Sequence, residues 1–324
     1  MKKLYMLLAA ALVMFIVTGC STSSDPIPGS LDYTSATIGK LKYVPAGAFL
    51  RDGDGDIDNP NISTITTAFR MSQYEITREQ FYAIMGIDPS DSDYSTWISD
   101  PVQRVNWYHA IAFCNKLSIA EGFTPVYIVT VGVTPLDFST LTYTDIPLDS
   151  DDPDWDAATA DWSATGYRLP TEMEWEWAAM GATSDRSNGY PGTGTNTTGY
   201  TKGYAGSTEV GGAQINIGDY AWYDINSDFT THPVGTKLAN ELGLYDMSGN
   251  IVEWVWDAMD EDLYPNYPDG PLDNNVYRGG SRTSLRIGRG GADIYDASYA
   301  TVAYRRPIPM AFRFYDIGFR VVRN

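Results

Sequence analysis

Asp246 and Glu253 stand seven residues apart, with Met247-Ser248-Gly249-Asn250-Ile251-Val252 between them. Hard cations such as calcium take carboxylates together with backbone carbonyls. A turn at Gly249 would let the carbonyls of Gly249 and Ile251 join the two carboxylates around one ion. The same spacing also permits a plainer arrangement, in which Glu253 caps or pairs within a tryptophan-rich core. Acid-base and nucleophilic chemistry is thin. The two His, His109 and His232, are far apart, and no GxSxG or HExxH pattern occurs. His109 falls in a helical stretch, where packing or a hydrogen bond is its expected role, and His232 precedes Pro233 in a structural turn.

A second stretch bears on recognition. Between Arg278 and Arg320 there are eight Arg, no Lys and three Asp, so the segment carries five net positive charges in a chain of formal charge -19. Tyr and Phe alternate with the arginines. Arg offers a planar fork of donors, and Tyr offers contact area with one polar handle, the composition of binding hot spots. Equally, such arginines can balance an acidic body from inside while the aromatics fill a core. The acidity of the remainder argues against a nucleic-acid partner, since phosphates require a dominant basic footprint.

The elements that would position these residues are short. Residues 41–44 and 47–50 read as strands, as does Thr64 to Ser72. Thr77 followed by Gln80 caps a helix through Met85, and Asn106 caps another from Trp107 to Ala120, stopped by Gly122. From Leu117 to Tyr167 there is no Lys or Arg while Asp accumulates, which predicts a solvated acidic insertion after a hairpin near Val126 to Val131. Thr171 and Glu174 form a capping box for a third helix whose buried side is Met173, Trp177 and Met180. About thirty residues of Gly, Thr, Asn and Ser follow as loop, and short strands dominate the rest. The alternating aspartates of 51–58 lack the glycine and glutamate positions of an EF-hand and read as an acidic surface loop. No βαβ alternation, repeat or phosphate-binding glycine motif appears, so the expected class is α+β with small antiparallel sheets and much loop.

The N-terminus has Lys2 and Lys3, then an apolar run from Leu4 to Val17, then Val17-Thr18-Gly19-Cys20. The run is shorter than the about 20 residues of a spanning helix. A Cys directly after small residues is a bacterial lipoprotein pattern, with cleavage before Cys20 and lipid on its thiol. The expected organisation is therefore a signal peptide at 1–19, a lipidated Cys20 with a flexible tether to residue 40, and one domain over 41–324. Ser21 after the Cys points to the outer membrane, with surface exposure expected. Cys114, the other of the two Cys, is then an unpaired core thiol.

VPAGAF, MSQYEITREQF, PVQRVNWYHAIAFCNKL, YRLPTEMEWEWAA, THPVGTKLANELGLYDMSGNIVEWVWD, YRGGS and IGFRVV, in that order, resemble the formylglycine-generating-enzyme (sulfatase-modifying-factor) family across about Tyr43 to Arg323. The resemblance implies a C-type-lectin-like fold with structural calcium. The family's second calcium site would fall on Asp246, Gly249, Ile251 and Glu253. The family's enzymes use a C-terminal cysteine pair, after RGGS, to bind copper and activate oxygen. Here 278–320 contains no Cys, so neither copper nor the oxygenase reaction is expected; thiolates are soft ligands that Arg, Ser and Tyr do not replace.

The same block also resembles the variable regions of diversity-generating-retroelement proteins, which end near a GFR motif and display a ligand-binding surface on the lectin-like fold. On that likeness the region is about 278–320. Gly279, Gly280, Gly318 and Phe319 would be framework. Arg282, Ser284, Arg286, Asp293, Tyr295, Asp296, Tyr299, Arg305, Arg306, Phe312, Phe314 and Tyr315 would be the ligand-binding set. The expected protein is a monomeric, non-enzymatic lipoprotein that meets a protein or glycan ligand and touches the membrane only through Cys20. A metalloenzyme of unusual chemistry and a structural envelope lipoprotein are the alternatives.

Overall fold

The computed structural model describes residues 31–52, 60–182, 194–208, 212–259, 272–273 and 285–324. The expected signal peptide, Cys20, the acidic loop at 53–58, Arg282 and Ser284 lie outside them.

Two four-stranded sheets organise the chain. The first comprises β1 (Tyr33–Ser35), β2 (Gly39–Val44), β5 (Phe69–Ser72) and β15 (Val322–Arg323), in the order β1-β2-β5-β15. It brings the two ends of the domain together, with Val322 opposite Met71. Residues 33–35, expected to be tether, therefore form a strand of this sheet. Asp32 ion-pairs with Lys42 at 2.7 Å and Ser35 donates to Glu121 at 2.5 Å, which fixes residues expected to be tether. β3 (Gly47–Leu50) and β4 (Ile62–Ile65) pair in a third sheet with β11 (Leu272–Asp273), and two short pairs join β6 (Tyr127–Ile128) to β9 (Thr159–Ala160) and β7 (Thr130–Val131) to β8 (Thr134–Pro135). The stretch Thr64 to Ser72 thus divides between two sheets instead of forming one strand.

Among the helices, α1 (Arg78–Met85) and α2 (Trp107–Ala120) start at Thr77 and Asn106 as the sequence predicts, each with a capping box. The α2 sequence is apolar nearly all round, and the helix is buried accordingly. Its polar Asn115 is satisfied by the backbone of Val126 and Tyr127. Residues of the supposed acidic insertion behave differently from expectation. Phe138, Leu141, Tyr143, Ile146 and Trp155 enter the main core, Trp155 on the short helix α3 (Pro153–Asp156). Spacing of Asp reports which backbone faces water, but not that intervening aromatics turn inward.

All eight residues of α4 (Glu172–Ala179) are buried, so the helix has no polar solvent side. Its three glutamates are tolerated because each meets a guanidinium. Arg168 lies 2.6 Å from Glu174, Arg289 lies 3.0 Å from Glu176, and Arg305 lies 2.7 Å from Glu172.

The second four-stranded sheet carries the C-terminal block: β10 (Val252–Ala258), β12 (Leu285–Arg289), β13 (Arg306–Pro309) and β14 (Ile317–Gly318), ordered β13-β12-β10-β14. The β10–β14 pairing is parallel and sets Glu253 beside Gly318. Trp107 Nε1 donates to Val255 O at 3.1 Å and Trp254 Nε1 to Val105 O at 3.0 Å, so α2 and β10 are tied by reciprocal buried indole bonds.

Candidate ligand-binding surface and the buried acidic turn

The turn before β10 folds sharply. Asp246, Gly249 and Asn250 all take left-handed backbone, with φ of 55°, 75° and 62°. A Cβ at Gly249 would sit 2.1 Å from the Trp222 carbonyl, so glycine is required there for space as well as for φ. Asn250 earns its strained backbone through its side chain, which donates to Glu75 at 2.7 Å and accepts from His232 N–H at 2.9 Å. Asp246 accepts from Gly235 N–H at 2.7 Å through one oxygen, while its other oxygen is buried without a partner. Burial pushes the Asp246 carboxyl up to about 6, against the pull of the Gly235 N–H and Arg320. Glu75 beside it is raised for the same first reason, then by the negative charges of Asp246 and Glu253.

Glu253 is fully buried. Arg320 reaches its two oxygens at 2.6–2.8 Å, and Trp175 Nε1 donates to it at 2.7 Å. A carboxylate so committed to a guanidinium does not fit as a cation ligand. Of the other three residues expected to join it, Asp246 keeps one open oxygen, and the Gly249 carbonyl already accepts from Ile251 N–H at 2.9 Å. Glu253 is thus neutralised inside the chain by Arg320, whereas Asp246 beside it keeps an uncompensated oxygen.

Apart from Arg313, the arginines of 285–320 also turn inward. Arg286 is buried with its guanidinium 4.1 Å from the Trp107 ring centroid and 3.0 Å from the Trp256 carbonyl. Burial lowers its pKa to about 10. Arg289 is fully buried, Arg305 forks onto Glu172, and Arg306 holds Asp316 at 2.6 Å. Asp293 is buried as well. Arg286 and Asp293 are therefore not solvent-facing, and Arg305 and Arg306 are engaged inside the chain, contrary to the role expected of them.

What faces outward is aromatic. Tyr299, Phe312 and Phe314 are 36–38% exposed. Phe312 stacks on Phe314 with centroids 4.9 Å apart, Phe314 meets Tyr315 at 5.0 Å, and Tyr315 lies flat on Tyr94 at 3.8 Å. Beside Phe312 and Phe314 is an open groove of about 340 Å³, floored by Pro309 and Ala311 and walled by 149–151. Arg313 closes one side by donating to Asp149 at 2.7 Å. Tyr299 packs separately, between half-buried Tyr295 at 5.2 Å and Tyr304 at 4.9 Å, and Asp296 is exposed nearby. Sequence reasoning missed Tyr94, Tyr304 and Asp149. Tyr94 and Asp149 reach the surface from remote segments with no local motif; Tyr304 was within the block and legible as one of its aromatics.

A model of the sulfatase-modifying factor enzyme 1-like domain matches residues 33–324. The chain belongs to that family. Chaperone protein LppX of Paenibacillus barcinonensis is similar over its whole length, 31% identical over 324 residues, 100% of this chain and 99% of that protein. The formylglycine-generating enzyme of Thermomonospora curvata is 31% identical over 149 residues, 45% of this chain and 44% of the enzyme. Among solved structures, Treponema denticola variable protein 1 is 36% identical with a TM-score of 0.76, covering 90% of this chain and 99% of that one. The expected α+β fold of the formylglycine-generating-enzyme type is the fold observed, and the likeness to a variable protein extends over the whole domain. Within the family, Cys114 is not placed for thiolate chemistry: it is buried in α2, and burial raises its pKa. Among the described residues no helix is long and apolar enough to cross a membrane.

Proposed function

We propose that this protein is a lipid-anchored, non-enzymatic binding protein that displays the aromatic surface of its C-terminal block to a protein or glycan ligand outside the cell. The observation that carries the reading is the division within that block. Arg289, Phe319 and Arg320 are fully buried framework, while Phe312, Phe314 and Tyr315 emerge between framework segments and continue onto Tyr94. Exposed, mutually stacked rings lose little side-chain entropy on binding and bury large area, which suits hot-spot residues. The likeness to a variable protein, which covers 90% of this chain, supports the same surface as the one diversified.

Lipidation at Cys20 and delivery to the outer membrane rest on the Val17-Thr18-Gly19-Cys20 pattern. The absence of Cys from 278–320 supports a binding role over copper-dependent oxygenation. The test is binding of the purified domain to intact cells and to a glycan array, for the natural chain and for a variant with Phe312, Phe314 and Tyr315 all changed to Ala. Binding should be lost while the thermal transition is kept; unchanged binding rejects the surface. Diversification has its own check in the encoding DNA, where a near-copy of the segment for 278–320 should differ at adenines and lie beside a reverse-transcriptase gene.

A further inference from the structure

Asp293 is held firmly but its carboxylate is not. The side chain is 1% exposed, and neither oxygen has a hydrogen-bond partner. The backbone, by contrast, is pinned on both sides. Its N–H donates to the Asn250 carbonyl at 3.1 Å, and its carbonyl accepts from Ser227 Oγ at 2.7 Å. The residue is thus fixed in place with two acceptors that meet no side-chain donor, the backbone N–H groups of Asp293 and Ile294 being the ones turned toward them. Its electrostatic neighbour is Asp316, itself fully buried. One Asp316 oxygen accepts from Tyr295 Oη and Arg306 Nη1, each at 2.6 Å, and the other accepts nothing. Three buried carboxylate oxygens on neighbouring residues therefore lack side-chain donors.

Unpartnered buried acceptors cost about 1–3 kcal/mol each, and charged ones more. A single proton would serve only one of the three oxygens, while Arg306 and Tyr295 already occupy the fourth. Without a counter-ion, burial first and the Asp316 charge second push the Asp293 carboxyl up to about 8. The other groups facing the pair are the phenols of Tyr295 and Tyr315; Tyr315 also feels both carboxylates. These are oxygen donors, and no thiol or imidazole contributes. Among the described residues no set of three or more His, Cys, Asp and Glu side chains gathers, so water and backbone oxygens would complete the shell.

We propose that Asp293 and Asp316 together hold a hard divalent cation of the calcium class, which ties the turn after β12 to the residue preceding β14. The site is separate from the turn at 246–253, where Arg320 supplies the positive charge, and it does not depend on the ligand-binding reading. Two protein carboxylates with water place the affinity in the weak range of extracellular modules, about 10⁻⁴–10⁻³ M.

The experiment uses the whole domain, stripped with chelator, and follows terbium luminescence excited through tyrosine, competed by calcium, alongside thermal melts. The natural chain should bind terbium, lose it to calcium, and melt higher with calcium. Asp293→Asn should weaken calcium binding tenfold or more and abolish the calcium-induced rise, yet melt in chelator at or above the natural chain because a buried uncompensated charge is gone. Asp246→Asn should bind as the natural chain does. The proposal is overturned if Asp293→Asn binds terbium and responds to calcium normally, if Asp246→Asn alone abolishes binding, or if the natural chain shows no response at about 10 mM calcium, well above that affinity range. That last result would assign Asp293 a proton instead.

Discussion

Glu253 and Asp293 are two buried carboxylates tied to the same small sheet, and the chain treats them in opposite ways. Glu253 receives a guanidinium and an indole N–H from Arg320 and Trp175. The Asp293 carboxylate receives no hydrogen bond from any side chain. A carboxylate with its own internal cation belongs to the framework: it fixes the GFR segment against β10 and is closed to outside ligands. One without such a partner leaves room for something the chain does not encode. The contrast also reassigns the arginines. Those described in the C-terminal block mostly neutralise buried acids, so the proposed binding surface is made of exposed rings rather than guanidinium forks.

The largest effect should come from breaking the neutralised member. Arg320→Met leaves Glu253 buried and uncompensated, and should cost about 3–5 kcal/mol of unfolding free energy in urea titrations. Adding Glu253→Gln to that variant should recover part of the loss, because the orphaned charge is then removed. A cost below about 1 kcal/mol for Arg320→Met would erase the distinction between the two sites. Gly249→Ala comes next. Its φ of 75° and the Trp222 carbonyl 2.1 Å from the added Cβ predict a loss of roughly 1–3 kcal/mol, read from the same titrations.

Asp257 is an intermediate case. It accepts one backbone N–H, from Glu172, at 2.7 Å, and its other oxygen is buried without a partner. Burial first, and then the Glu172 charge, push its carboxyl up to about 7. An acid whose folded pKa exceeds its unfolded value of about 4 carries an extra proton in the native state between those limits. Its contribution to stability is therefore full below about pH 4, declines as pH rises, and is lost above about pH 7. Asp257→Asn should melt progressively higher than the natural chain on going from pH 5 to pH 8, at about 1.4 kcal/mol for each pKa unit removed. A melting difference independent of pH would show that Asp257 stays ionised throughout.

Much of this fold was legible because its helix starts are written locally. Thr77, Asn106 and Thr171 each announce a cap within four residues. The ordered blocks from VPAGAF to IGFRVV carried the family. Long-range electrostatics was not legible. Nothing near Glu172 or Glu176 says that Arg305 and Arg289 will cover them, more than 100 residues later. Spacing alone likewise made Glu253 look like a metal ligand, since its guanidinium arrives from 67 residues away. Of the aromatic residues that the block's composition singles out, Phe312, Phe314 and Tyr299 reach the surface, whereas Tyr94, which completes the stack, comes from a segment with no pattern to mark it.

The smallest stability effect should fall on the rings proposed to meet the ligand. Phe312 and Phe314 are each 38% exposed and stack chiefly on one another. Changing either to Ala removes no buried hydrogen bond and opens no deep cavity, so stability should move by no more than about 0.5 kcal/mol. If the rings anchor a ligand, each change should still weaken binding tenfold or more, since truncating a hot-spot aromatic costs about 2 kcal/mol or more. Arg320→Met would show the reverse pattern, with binding lost only as far as folding is lost. Measuring melting and ligand binding on the same three variants separates framework from display. Were Phe312→Ala and Phe314→Ala to lose stability as steeply as Arg320→Met, the stack would be core after all, and the block would have no display surface on that side.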